Sequence, residues 1–201
     1  MRLWAEISSA GGSEASVQLC AVTKTHPREL VDLACRVGLK IFGENYAGEL
    51  LDKAHSGDPF QWHYLGAIQR KKVAKLAPVV DLFQGLCRVE EAAAIAKVQP
   101  GAKVLVQIDT TGFSQRSGLS PEAFPDFFAQ LQTIDVEVVG VMTVAPPSRD
   151  EAKACFASVR RIADDFQFSV CSMGMSSDLQ DAVAAGSTMV RVGHALFGPR
   201  G

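Results

Sequence analysis

Short, nearly unbroken apolar runs recur along the chain, separated by longer stretches in which apolar positions return every third or fourth residue. The runs read as strands near 17–23, 39–42, 61–65, 79–83, 103–109, 136–141, 168–172 and 188–192. The longer stretches read as helices over 27–37, 44–55, 69–76, 89–98, 121–132, 149–166 and 177–185. Ser120 before Pro121 and Glu122, and Ser148 before Asp150 and Glu151, are helix-start signals, while Gly38 and Gly186 fall where helices should stop.

Regular strand–helix alternation argues for parallel strands joined by right-handed crossovers. Eight strands and seven helices fit one closed (β/α)8 barrel, a TIM barrel spanning 1–201 as a single domain. The segment around Leu3, Trp4 and Ile7 can cover the exposed edge in place of an eighth helix. A doubly wound open sheet is the competing architecture, but Thr23-Lys24-Thr25-His26-Pro27 is not the glycine-rich turn that usually follows its first strand.

Alternation of side chains along barrel strands has a consequence for chemistry. If Lys24 points inward, Val22 and Cys20 do too, while Leu19 and Ala21 face the helices. If Arg191 points inward, Met189 and Gly193 share its face. First and last strands are neighbours in a closed barrel, so Lys24 and Arg191 would meet at the carboxyl-end mouth, where barrel enzymes place their chemistry.

Composition narrows the field. Hydrophobic residues make up 47% and charged residues 21%, a globular balance, and the net charge of −2 gives no reason to expect nucleic acid or an anionic membrane as partner. Arg70-Lys71-Lys72 reads as a solvated helix start. The five cysteines are scattered, without metal-ligand spacing, which points to a reducing compartment and no disulfide framework. Without a signal-like N-terminus or a membrane-length apolar run, a soluble cytoplasmic protein is expected.

Lys24 is the candidate amine for a Schiff base with an aldehyde, since desolvation and a neighbouring cation would raise its free-amine fraction. The alternative is an exposed loop lysine. Arg191 can face a cofactor ring nitrogen or a phosphate; the rival role is a buried ion pair, with Asp109 as the obvious carboxylate. Ser172, Ser176 and Gly193 are phosphate candidates through hydroxyls and accessible N–H groups. Asn45 can orient a ligand oxygen or simply serve a turn. His63 can shuttle a proton or be a satisfied core histidine, and Glu90-Glu91 reads as a solvated first helical turn. Lysine, arginine and phosphate cradle together suggest a phosphorylated carbonyl compound.

In order and spacing, the strings Ala21-Val-Thr-Lys-Thr25, Phe42-Gly-Glu-Asn-Tyr46, Trp62-His-Tyr-Leu-Gly-Ala-Ile-Gln69, Gly140-Val-Met142, Ser172-Met-Gly-Met-Ser176, Gly186-Ser-Thr-Met-Val-Arg-Val-Gly193 and Leu196-Phe-Gly198 carry a family resemblance. From about Val17 to Arg200 the chain resembles the pyridoxal phosphate homeostasis proteins of the YggS/PROSC type, relatives of the alanine racemase barrel. The resemblance implies a fold type III barrel that binds pyridoxal 5'-phosphate (PLP), with Lys24 as the Schiff-base lysine and Arg191 against the pyridine nitrogen. It further implies that Ser172, Ser176 and the backbone of Gly193 and His194 hold the phosphate, with Asn45 nearby. Four departures stand out: Arg70 and Lys71 after Gln69, Gln84-Gly85-Leu86-Cys87 where a His-Ser-Val-Asp-like segment is common, His194 in place of a small hydroxyl residue, and a shorter segment before Lys24.

A guanidinium does not readily give its proton to the pyridine ring, so the cofactor would be a weak electron sink. Transaminase and decarboxylase chemistry are therefore disfavoured. Racemisation needs acid/base groups on both faces of the substrate carbon, and the chain offers only Tyr46 and Tyr64 as tyrosines and no further domain after the eighth strand. The expected role is reversible capture of PLP on Lys24 in intracellular PLP homeostasis and delivery, without robust catalysis and with PLP-dependent apo-enzymes as recipients. A monomer is the expected state. The alternatives are an amino-acid racemase, a Schiff-base aldolase acting on a phosphorylated sugar, and an interaction module that has lost its cofactor.

Overall fold

The computed structural model describes residues 2–112 and 117–198; Met1, and Arg200 at the far end of the resemblance, lie outside the described residues. Strands β1 (Gln18–Val22), β2 (Ile41–Glu44), β3 (Gln61–Tyr64), β4 (Leu82–Leu86), β5 (Ala102–Ile108), β6 (Val136–Thr143), β7 (Val170–Ser172) and β8 (Met189–Val192) close into a barrel in chain order. All pairings are parallel, and closure is made by β1 on β8, with Cys20 opposite Arg191 and Ala21 opposite Val192. Helices α1 (Arg2–Ser9), α2 (Arg28–Arg36), α3 (Ala47–Lys53), α4 (Arg70–Leu76), α5 (Val89–Val98), α6 (Phe124–Leu131), α7 (Arg149–Asp165), α8 (Leu179–Ala184) and the short α9 (His194–Phe197) complete the described elements.

The alternation inferred from sequence holds. Cys20, Ile41, Leu82, Leu105, Met142 and Met189 fill the barrel interior, one from each of six strands. Their neighbours Phe42, Phe83, Val104, Val141 and Val190 face the helices. Each such fully buried aliphatic or aromatic side chain contributes roughly 1.5–3 kcal/mol relative to exposure. The N-terminal segment is itself helical. Through Ile7, Leu3 and Trp4 it covers Val17, Leu19, Val190 and Val192 together with α8, filling the place of an eighth outer helix.

Several boundaries differ from expectation, four of them where a specific contact intervenes. Ala77–Val79 forms a 3-10 turn that keeps Ala77 in the core, so the fourth strand begins at Leu82 and not at 79. Glu44 belongs to β2, which delays α3 to Ala47. Asp178 accepts from the Met175 N–H at 2.6 Å, a turn that delays α8 to Leu179. Ser120 caps a 3-10 turn at Pro121–Ala123 ahead of α6, and Ser148 makes no side-chain cap for α7. The stop signals hold: Gly38 and Gly186 take φ of 105° and 91°.

Glu91 corrects the reading of a solvated first turn. It is 3% exposed and its Oε2 accepts from the backbone N–H groups of Cys87 (3.1 Å) and Arg88 (3.2 Å), closing the start of α5 from below. Arg70, Lys71 and Lys72 are exposed on the first turn of α4, as expected.

Candidate functional site

The carboxyl ends of β1, β8 and β7 assemble the candidate residues. β1 ends at Val22; Thr23 then turns its hydroxyl outward to Glu44 Oε1 (2.7 Å), and half-buried Lys24 follows at the rim. Thr25 sits at φ 67°, an uncommon conformation for a β-branched residue, with its N–H donating to Glu49 Oε2 at 2.6 Å. Lys53 lies beneath this loop and donates to the Thr23 carbonyl (2.9 Å), Glu44 Oε1 (2.6 Å) and Glu49 Oε2 (3.1 Å). Both residues flanking Lys24 are thus tied to one buried cluster. Burial raises the Glu44 carboxyl even with Lys53 beside it, whereas Glu49, although burial pushes it upward, is drawn below the ordinary range by hydrogen bonds from Thr25 and Lys53 and by the charges of Lys53 and Lys24.

Arg191 lies on the inner face of β8, 5% exposed. Its Nη1 donates to the Ser172 carbonyl (2.8 Å) and hydroxyl (2.7 Å), and Nη2 donates to the Thr143 carbonyl (2.6 Å). Every one of these acceptors is neutral. Among the described residues no carboxylate forms an ion pair with Arg191, and the rival partner Asp109 instead accepts from Thr111 Oγ1 at 2.7 Å. Burial accordingly lowers the Arg191 pKa from the ordinary guanidinium value. A buried cation with only neutral partners is costly unless a ligand completes its shell. Cys20 lies across from it in the β1–β8 ladder, and burial pushes its thiol up to about 12, which removes it as a nucleophile.

The phosphate candidates separate into two groups. Ser176, just past β7, accepts the Ala195 N–H on its Oγ at 3.3 Å, which brings the β7–α8 loop against the first turn of α9. Among the described residues no backbone carbonyl accepts from the Gly193 or His194 N–H, so these amides and the Ser176 hydroxyl are adjacent donors. Gly193 passes so close to β1 that a Cβ there would stand 2.9 Å from the Val22 carbonyl oxygen. The His194 side chain is exposed. Ser172 is not part of this group: it is fully buried, and its hydroxyl donates to Gln84 Oε1 at 2.7 Å while accepting from Arg191.

The Lys24 loop and the Gly193 turn are neighbours. His26, two residues past Lys24, stacks at a tilt on Phe197 of α9 with ring centroids 5.5 Å apart. Asn45 follows β2 at the same rim, half-buried, with its carbonyl packed so closely on Gly66 that a Cβ there would sit 2.0 Å away. His63 is the satisfied core histidine of the two readings: 2% exposed, hydrogen-bonded to Gln84 at 2.9 Å and driven by burial to a pKa of about 3. Hollows of about 710 and 280 Å³ flank the mouth, sharing Val144, the larger reaching Ser176 and the smaller Gln107 and Asp109.

Sequence reasoning missed three contributors. Gln84 was visible only as the start of the Gln84-Gly85-Leu86-Cys87 departure, just past the strand expected over 79–83, Lys53 only as one residue of the helix expected over 44–55, and the Thr143 carbonyl not at all. Among the described residues, no cluster of histidine, cysteine, aspartate and glutamate could hold a metal ion, and no helix is long and apolar enough to cross a membrane.

Comparison with known proteins matches residues 4–201 to the family model for the alanine racemase N-terminal domain. A pyridoxal phosphate homeostasis protein of Pseudomonas aeruginosa is 34% identical over 203 residues, covering 96% of this chain and 88% of that protein. The human pyridoxal phosphate homeostasis protein is 34% identical over 217 residues, covering 91% and 76%. Among solved structures, PipY of Synechococcus elongatus with PLP bound superposes with a TM-score of 0.83 at 29% identity, covering 98% of this chain and 100% of that one.

Proposed function

The chain belongs to the pyridoxal phosphate homeostasis family, built on the alanine racemase N-terminal domain, and on that premise we propose that it binds PLP reversibly through Lys24, for holding and delivery rather than turnover. The observation that carries this reading is the buried Arg191 guanidinium, held only by neutral oxygens at the mouth of the barrel. PLP, when bound, supplies an aldehyde for a primary amine, a ring nitrogen that accepts a hydrogen bond, and a phosphate. The residues present fit each part.

Lys24 supplies the amine at the rim of β1. Arg191 offers a hydrogen bond to the ring nitrogen. Ser176 and the amides of Gly193 and His194 receive the phosphate, next to the loop that carries Lys24. Asn45 orients the ligand from the β2 side. Ser172 acts one layer down, bonding Arg191 from the interior.

Retention without turnover follows from the same groups. Arg191 keeps its protons and leaves the ring nitrogen unprotonated, which weakens the ring as an electron sink. A second acid/base tyrosine is not in position either. The Tyr64 hydroxyl donates to the Ala67 carbonyl at 3.2 Å, its ring buried between barrel and helices, and Tyr46 is 58% exposed. The role proposed is that of a cytoplasmic monomer that passes PLP to PLP-dependent apo-enzymes.

The test is a PLP titration of Arg191→Met. Loss of a charged hydrogen-bond donor to the ligand should weaken binding by about 10- to 100-fold, while apo-protein stability changes little because the desolvation penalty of a buried cation leaves with it. Unchanged PLP affinity together with a large drop in melting temperature would make Arg191 a structural residue and remove the main support for this reading.

A further inference from the structure

Four buried polar side chains run in sequence through the barrel interior, and the site described above uses only the Ser172–Arg191 end. On β3, His63 Nδ1 lies 2.9 Å from Gln84 Nε2 on β4. Gln84 Oε1 accepts from the Ser172 hydroxyl of β7 at 2.7 Å, and Ser172 accepts from Arg191 Nη1 of β8 at 2.7 Å. Gln84 and Ser172 are fully buried, His63 is 2% exposed and Arg191 5%.

The sense of these bonds is set from the arginine. A guanidinium only donates, so Ser172 Oγ accepts from it and sends its own proton to Gln84 Oε1. That fixes the amide: Nε2 then donates to His63 Nδ1 and toward Met189 Sδ at 3.3 Å, and both amide hydrogens are used. Reversing the amide would leave the Ser172 proton without an acceptor, so the Ser172 side fixes the amide and His63 takes the tautomer whose Nδ1 is unprotonated and accepts from Nε2. Buried, unmet polar groups of this kind are penalised strongly enough to hold one arrangement.

We propose that Gln84 is a positioning residue for the cofactor: acting through Ser172, it holds the Arg191 guanidinium in place against the bound PLP ring. The proposal rests on the PLP reading given above. A merely structural Gln84, filling space and satisfying His63, would affect folding and leave the ligand untouched.

The experiment titrates PLP into the wild-type protein, Gln84→Leu, Ser172→Ala and the double variant, following the absorption maximum of the bound cofactor and its affinity. Apo-protein melting and borohydride labelling of Lys24, read by mass, accompany each titration. Each single variant should bind PLP about 10-fold more weakly, the scale of one hydrogen bond to a charged group, with a displaced absorption maximum and full labelling of Lys24 at saturation. The double variant should be no weaker than the poorer single, because both changes cut one path. Single variants that melt earlier but keep wild-type affinity and spectrum would overturn the proposal, as would losses that multiply in the double variant. Should Gln84→Leu fail to fold, Gln84→Met, which keeps the side-chain length but offers Ser172 no oxygen, takes its place in the cycle. A wild-type protein that takes up no PLP would overturn the PLP reading itself and this proposal with it, whereas wild-type binding with silent variants overturns only the proposal.

Discussion

Arg191 and His63 illustrate opposite ways of keeping a polar group inside a barrel. Arg191 is a guanidinium held by neutral acceptors, whereas His63 stays neutral and is satisfied by Gln84. The His63 pKa falls from 6.5 to about 3. Between those values the unfolded chain binds a proton that the folded one does not, so this residue's contribution is complete above pH 6.5 and is lost as pH falls toward 3. His63→Gln, which can still offer an oxygen to Gln84, should flatten the acid limb of stability; denaturant midpoints measured across that window check it, and an acid limb as steep as wild type would contradict it. At this scale the sequence was informative about which face a residue takes and less so about its depth. Alternation put Cys20, Met189 and Arg191 on one face correctly, but it could not tell that the Ser172 hydroxyl is enclosed while the Ser176 hydroxyl is at the rim. Hydrogen-bond competition decided Asp109 and Glu91, whose partners are the nearby Thr111 and the start of α5.

At the level of elements, the loop from β1 to α2 is held from below. Glu44, fully buried and with its Oε2 lacking a hydrogen-bond partner, relies on Lys53 as its counter-charge, and Lys53 also binds the Thr23 carbonyl. Glu49 holds the Thr25 amide at the left-handed φ next to Lys24. Lys53→Met would strand a buried carboxylate, which typically destabilises by about 3 kcal/mol, and should speed hydrogen exchange at the Thr25 amide. A wild-type denaturation midpoint with unchanged Thr25 exchange would contradict that anchoring role. The strands and helices themselves were largely legible, because β–α alternation and apolar periodicity are local. Boundaries slipped where one tertiary contact outweighed propensity: the Ala77–Val79 turn in the core, and Glu44 drawn into β2 by Lys53 and Thr23.

For the molecule as a whole, closure of β1 on β8 brings positions far apart in sequence to one rim, where the candidate site lies. Lys24 lies just past β1, Arg191 on β8 opposite Cys20, and Gly193 packs against the Val22 carbonyl at the seam. Gly193→Ala would force its Cβ onto that carbonyl, 2.9 Å away, and should separate the strand ends. PLP affinity should fall with only modest loss of thermal stability; wild-type affinity would show that the seam does not shape the site. Closure could be inferred from strand count and order. The polar line beneath Arg191 could not, since it joins four strands through side-chain torsions that no linear pattern encodes. Where PLP attaches is the most direct test. Borohydride reduction of the PLP-loaded protein, followed by peptide mass mapping, should place a single label on Lys24 and lose it in Lys24→Ala while weaker, phosphate-anchored binding persists; a label on another lysine, or undiminished labelling in Lys24→Ala, would contradict it.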